Sequence, residues 1–188
     1  MSSPFPQSQP QPPPPTHSSA DEAAVGGACG DHGLSRAEFD ELRRRATAAK
    51  ATCYAPYSNF RVGACALSEG GGGPEGAASP YISGANVENA SYPVGVCAEV
   101  TTLSSAVTSG HRRFRALAVA TDVAPPASPC GRCRQFIREF CPLDMPILMF
   151  DKNEDFIVMK LEALLPLSFG PENLLPPGAA AAAARGSA

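Results

Sequence analysis

The sequence predicts an α/β fold built on a five-stranded mixed sheet, and three observations carry that prediction. Five short apolar runs, Val62 to Leu67, Tyr81 to Val87, Phe114 to Thr121, Pro146 to Phe150 and Phe156 to Met159, have the length and the small or branched residues of strands. They alternate with segments whose apolar residues recur at helical intervals. Only Asp151 to Asp155 separate the last two runs, too few for the crossover of about a dozen residues that parallel strands need, so that pair is antiparallel.

With 188 residues and 44% hydrophobic content, the chain can build one domain with a buried core. A formal charge of -3 gives no global reason to bind nucleic acid, whose readers carry clustered Lys and Arg. The Arg43 to Arg45 run and the Arg112, Arg113, Arg115 group read as solvated surface, which favours a small-molecule partner. The N-terminus has no basic stretch followed by an apolar one, and no segment approaches the roughly 20 apolar residues of a membrane span. The expectation is a soluble protein of the cytosol, with nuclear presence also open. In that reducing compartment seven cysteines read as metal ligands and core residues rather than disulfides.

Residues 1–33 are dominated by Pro, Ser, Gln, Ala and Gly and are expected to form a disordered tail, with Pro12 to Pro15 favouring polyproline II. Ser35 and Glu38 have the spacing of a capping box, and Phe39, Leu42, Ala46 and Ala49 then mark a helix from about Arg36 to Lys50 that covers one side of the sheet. A turn-rich approach, Tyr54 to Phe60, leads to the first two strands, which form an antiparallel hairpin. The Gly70 to Gly73 stretch between them reads as a flexible loop, because it lacks the Lys-Ser/Thr of a phosphate-cradling loop and opens no helix.

A second helix is expected from about Cys97 to Ser109, with Val100, Leu103, Ala106 and Val107 at helical spacing and Gly110 as its stop. After the third strand, Pro125 and Pro126 mark a loop and Cys130 to Phe140 a third helix, on which Cys133, Phe136, Ile137 and Phe140 share a face. Leu161 to Leu165 can form a short final helix. The ordered domain is therefore assigned to residues 34–173, and the Ala-rich residues 174–188 to a second tail.

Cys130 and Cys133 stand at i and i+3 on the opening turn of a helix, on one face, where the unsatisfied N–H groups and the helix dipole favour thiolate. Cys97 stands at the start of another helix, in the same kind of field. Three thiolates on zinc leave one tetrahedral position open, the pattern of a catalytic rather than a structural site. Glu99, two residues from a ligand, is placed to take a proton from water and return it to a substrate. The alternative is a structural site closed by Cys53, Cys65, Cys141 or Cys29; Cys53, Cys65 and Cys141 otherwise read as small buried residues. His17, His32 and His111 fall in the tail or near a turn and are assigned no chemistry.

Five stretches, Tyr54 to Ala64, Gly84 to Pro93, Cys97 to Glu99, Ser128 to Gln135 and Leu164 to Pro171, resemble in this order the zinc-dependent cytidine deaminases. The resemblance is to the small homotetrameric class that acts on free nucleosides, and it covers roughly Ser35 to Asn173. It implies a three-layer α-β-α fold and one zinc ion per chain on Cys97, Cys130 and Cys133. It also implies hydroxide attack on C4 of cytidine or deoxycytidine with Glu99 as proton shuttle, giving uridine or deoxyuridine in pyrimidine salvage.

By the same resemblance Asn86 and Glu88 hold the ribose, which agrees with alternate residues of an extended segment facing one side. Phe60 lines the pocket, the Ala98 backbone contacts the base, and Tyr92 and Phe169 are offered to a neighbouring chain's pocket. The sequence departs from some relatives at Val100, where they carry an arginine offsetting the thiolate charge; Arg134 and the helix dipoles are the expected substitutes. It also carries an insertion, Gly70 to Ala78, that reads as a tolerated surface loop. Two other functions compete with this one. A polynucleotide-editing deaminase is opposed by the acidic balance and the antiparallel final strands, and a zinc-stabilised interaction module would rest on the Pro-rich tail alone.

Overall fold

The computed structural model describes residues 14–69 and 79–174, so the expectations for the Gly-rich insertion and the Ala-rich end lie outside the described residues. The elements run α1 (Glu22–His32), α2 (Arg36–Ala49), β1 (Val62–Ser68), β2 (Tyr81–Ala85), α3 (Ala98–Thr108), β3 (Phe114–Thr121), α4 (Gly131–Phe140), β4 (Pro146–Phe150), β5 (Phe156–Lys160) and α5 (Leu161–Leu164). The strands form one sheet in the order β2-β1-β3-β4-β5, in which only β3 and β4 pair in parallel. Among the described residues no helix is long and apolar enough to cross a membrane.

Strand alternation divides the core into two layers. Cys65, Leu67, Ala116, Ala118, Ala120, Leu148 and Phe150 face α1 and α2, where Phe39 and Leu42 pack on them. Ala64, Ala66, Leu117, Val119, Ile147 and Met149 face the other way, against Leu103 and Ala106 of α3 and Ile137 of α4. The result is three layers, with α3 and α4 side by side on one face. Gly84 lets α3 approach β2 closely, since a Cβ there would lie 2.8 Å from the Thr102 hydroxyl.

The expected first helix forms with its capping box. The Ser35 hydroxyl accepts from the Glu38 N–H at 3.2 Å, and the Glu38 carboxylate accepts from the Ser35 N–H at 2.8 Å. The expectation of a disordered tail over residues 1–33 is corrected for residues 14–33. Asp21 caps α1 by accepting from the N–H groups of Ala23 and Ala24 at 3.0 and 3.1 Å, and Gly33 ends it in the left-handed region, at φ 63°. Val25 and Cys29, one turn apart, are buried against the Phe39 and Phe156 layer, and that burial overcomes the helix-weakening glycines Gly26, Gly27 and Gly30. His17 adds a short bridge to the β5 edge, its N–H donating to the Phe156 carbonyl at 2.9 Å.

Candidate active site

Cys97 and Cys130 are the N-caps of α3 and α4, both with extended backbone, and Cys133 follows on the first turn of α4. Because the two helices lie on the same sheet face and begin at the same end, their caps meet. The Cys97 and Cys130 sulfurs are 4.0 Å apart, those of Cys130 and Cys133 3.4 Å, and all three lie within 4.8 Å of one another. A tetrahedral zinc with Zn–S bonds of about 2.3 Å needs sulfurs about 3.8 Å apart, so this donor set fits the ion. Among the described residues no further Cys, His or carboxylate joins the group, which rules out closure by Cys29, Cys53, Cys65 or Cys141.

The electrostatics of the triad call for a cation. The Cys97 thiol is lowered to about 6, first by a hydrogen bond from Cys133, against the effect of burial and the Glu99 charge. Cys133 is driven up by the same hydrogen bond and by its burial. One thiolate is thus stable where the next is not, and a divalent ion is what lets all three ionise. Glu99, on the first turn of α3, is only 4% exposed, and burial raises its pKa. A buried carboxyl with a raised pKa at the end of a cavity marks a candidate acid–base group.

Beside the triad lies a half-open cavity of about 500 Å³. Cys97, Cys130 and Glu99 form one end of it, Val62, Val119 and Thr121 line it from the sheet, and Phe60, Asn86, Glu88 and Tyr92 line the rest. The expected strand from Tyr81 to Val87 stops at Ala85, because beyond it the backbone changes partners, Val87 bridging to Tyr54 and Val96, while the Asn86 and Glu88 side chains turn to the 57–62 segment. The Asn86 side chain accepts from the Val62 N–H and donates to the Phe60 carbonyl, each at 2.9 Å. Glu88 accepts from the N–H groups of Tyr57 and Ser58 at 2.9 and 3.2 Å and from the Ser58 hydroxyl, which holds its carboxylate below the usual range.

The remaining sequence-predicted residues are placed less uniformly. Ala98 is fully buried as the first residue of α3. Tyr92 is 75% exposed and lines its own chain's cavity, with its ring 6.0 Å from that of Tyr57. Phe169 does not line the cavity; it lies exposed beside α4, with its carbonyl accepting from Gln135 at 3.0 Å.

Arg134 does not take up the thiolate charge as expected. Its guanidinium is spent on the carbonyls of Pro129 and Leu164, both at 2.7 Å, and on the Ser128 hydroxyl at 2.6 Å, where it braces the loop that leads into Cys130. The cation that favours the Cys97 thiolate is Arg132, held to the Gly95 carbonyl at 3.2 Å. Ser58, Thr121, Val119 and Arg132 are among the site residues that the sequence reading missed. Only Arg132, between two ligands, carried a signal in the sequence.

Residues 37–149 match the family described as the cytidine and deoxycytidylate deaminase zinc-binding region. The cytidine deaminase of Sporosarcina psychrophila is 39% identical over 137 residues, covering 73% of this chain and 95% of the relative. That of Halalkalibacterium halodurans is 38% identical over 133 residues, 71% of this chain and 95% of the relative. Among solved structures, the Burkholderia pseudomallei cytidine deaminase aligns with a TM-score of 0.63 at 38% identity, covering 69% of this chain and 98% of its own. The Mycobacterium tuberculosis cytidine deaminase aligns with a TM-score of 0.56 at 35% identity, covering 71% and 98%.

Proposed function

This chain belongs to the zinc-dependent cytidine and deoxycytidylate deaminase family, and from that membership we propose that it hydrolyses cytidine and deoxycytidine to uridine and deoxyuridine in pyrimidine salvage. The observation that carries the reading is the convergence of Cys97, Cys130 and Cys133 beside the buried Glu99 at one end of a cavity whose other residues include Asn86 and Glu88.

Cys97, Cys130 and Cys133 hold one zinc ion per chain. When bound, zinc supplies the Lewis acidity that lets water act as a nucleophile near neutral pH. Glu99 takes a proton from the attacking water through its carboxylate and returns it to the base as ammonia leaves. Its raised pKa, set by burial, makes the carboxylate a stronger base toward the attacking water, and the protonated form is kept long enough to give the proton back. Asn86 and Glu88 bind the ribose, with Glu88 ionised and aligned by Tyr57 and Ser58. Phe60 lies along the base, and the backbone of Ala98, at the opening of α3, contacts it.

Residues 34–173 form the catalytic domain in this reading, in a cytosolic enzyme whose presence in the nucleus is also open. The chain assembles as a homotetramer in which Phe169, and Tyr92 at the rim, complete a neighbour's site. Their exposure supports this, and so does the apolar surface around them, which includes Val94 and Leu167. A free nucleoside fits better than a polynucleotide, given the overall charge of -3 and a cavity of nucleoside scale. The test is ammonia release from cytidine, deoxycytidine, cytosine and single-stranded DNA, with zinc measured on the same preparation. Turnover of the two nucleosides at about one zinc per chain is expected; turnover of the polynucleotide alone, or activity without zinc, contradicts the proposal.

A further inference from the structure

Thr121 is the last residue of β3. It shares a face of the strand with Val119, pairs across the ladder with Val62, and with both of them lines the cavity. It is 3% exposed, and its hydroxyl has no hydrogen-bond partner. None of the polar side chains that line the same cavity hydrogen-bonds it. The Asn86 side chain bonds the Val62 N–H and the Phe60 carbonyl, and the Ser128 hydroxyl accepts from Arg134. The Lys50 ammonium reaches the Thr121 carbonyl, not its side chain.

A buried hydroxyl without a partner destabilises the protein that carries it, and valine has nearly the same shape without that cost. Threonine beside Val62 and Val119, the two valines that line the cavity from the sheet with it, is therefore explained by something that arrives later and completes the hydrogen bond. Rotation about the Cα–Cβ bond between staggered positions exchanges methyl and hydroxyl, which brings the oxygen to the cavity surface. The depth of Thr121 decides which part of a ligand it meets. The exposed rim carries Tyr92 and the partly exposed Glu88, whereas Thr121 is buried with Val119 and Glu99, where the reacting base must lie to reach the triad.

We propose that Thr121 is a specificity-determining residue whose hydroxyl hydrogen-bonds the edge of the bound pyrimidine. The proposal rests on the nucleoside reading of the site. Turnover of cytidine by the unsubstituted enzyme tests that reading, and the ratio between it and the variants tests Thr121.

The experiment compares Thr121→Val and Thr121→Ser in the zinc-loaded full chain. Thr121→Val is expected to lose about tenfold in kcat/KM, mostly through KM and equally for cytidine and deoxycytidine, while Thr121→Ser stays within about threefold. The ligand-free Tm of Thr121→Val is expected to equal or exceed that of the parent, because an unpaired hydroxyl has been removed, and the Tm rise on adding uridine is expected to shrink. Unchanged kcat/KM and an unchanged uridine shift in Thr121→Val overturn the proposal. A fall in ligand-free Tm with equal losses in both variants also overturns it, by marking a packing role, and so does a loss confined to cytidine, which moves the contact to the sugar.

Discussion

Cys97 and Cys130 cap different helices, yet their sulfurs lie 4.0 Å apart. A residue separation of this kind is closed by the sheet beneath them. β3 is the strand between α3 and α4, and the layer it forms with β4 packs against both helices and sets their starts together. The metal site is thus a property of tertiary packing, and each helix contributes a local field that favours thiolate.

The first prediction concerns that field after zinc is stripped. With Cys97 lowered to about 6, iodoacetamide at pH 7 modifies it within the time that leaves Cys65 and Cys141, pushed by burial to about 11 and about 12, untouched. Zinc is expected to protect Cys97 at the same pH. Peptide mass spectrometry of the two samples reads both outcomes, and equal labelling with and without zinc contradicts the assignment.

Glu88 supplies a prediction in pH. Its pKa is lowered by the Ser58 hydroxyl and the Tyr57 N–H, so the carboxylate stays charged as pH falls and protonates only below the ordinary carboxylate range. KM for cytidine is therefore expected to show no Glu88 transition between pH 5 and 8. Replacing Glu88 by Gln should raise KM about tenfold with kcat nearly unchanged, since it weakens binding of the sugar rather than the transfer of the proton.

Much of this was legible in the sequence, for identifiable reasons. The Ser35–Glu38 capping box is local, and the third strand carries the continuous apolar run of a buried strand from Ala116 to Ala120. The C-x-x-C at Cys130 and Cys133 reads directly because one helical turn fixes the relation of its sulfurs. α1 was missed because its alanines and glycines look like linker, and only docking of Val25 and Cys29 on a distant layer stabilises it. The work of Arg132 depends on where Gly95 falls, and the open hydroxyl of Thr121 on what its neighbours across β1 do with theirs. Neither relation is local in the chain.

Docking of α1 carries its own prediction. Val25 is fully buried, so Val25→Ala is expected to lower the unfolding free energy by about 1–3 kcal/mol in a urea titration while kcat stays the same. A change below about 0.5 kcal/mol would mean that α1 does not hold to the domain.

Phe169 is presented outward by a braced segment. Arg138, buried on α4, holds the Ser168 hydroxyl at 3.0 Å and pairs with Glu172, while Gln135 holds the Phe169 carbonyl. If Phe169 completes a neighbour's site, Phe169→Ala loses activity and keeps its zinc. Mixing its chains with inactive Glu99→Gln chains then restores turnover, because hybrid assemblies pair an intact Glu99 with an intact Phe169. Absence of any recovery after subunit exchange contradicts the shared site.

The most direct test of the account is Glu99→Gln, which keeps the shape of a buried side chain and removes its ability to carry the proton. Zinc content and turnover of cytidine are measured on one preparation. The account predicts about one zinc per chain, as in the parent, and a kcat about 100 to 10,000-fold lower. Turnover within threefold or so of the parent, with zinc retained, would contradict the role given to Glu99 and with it the central claim.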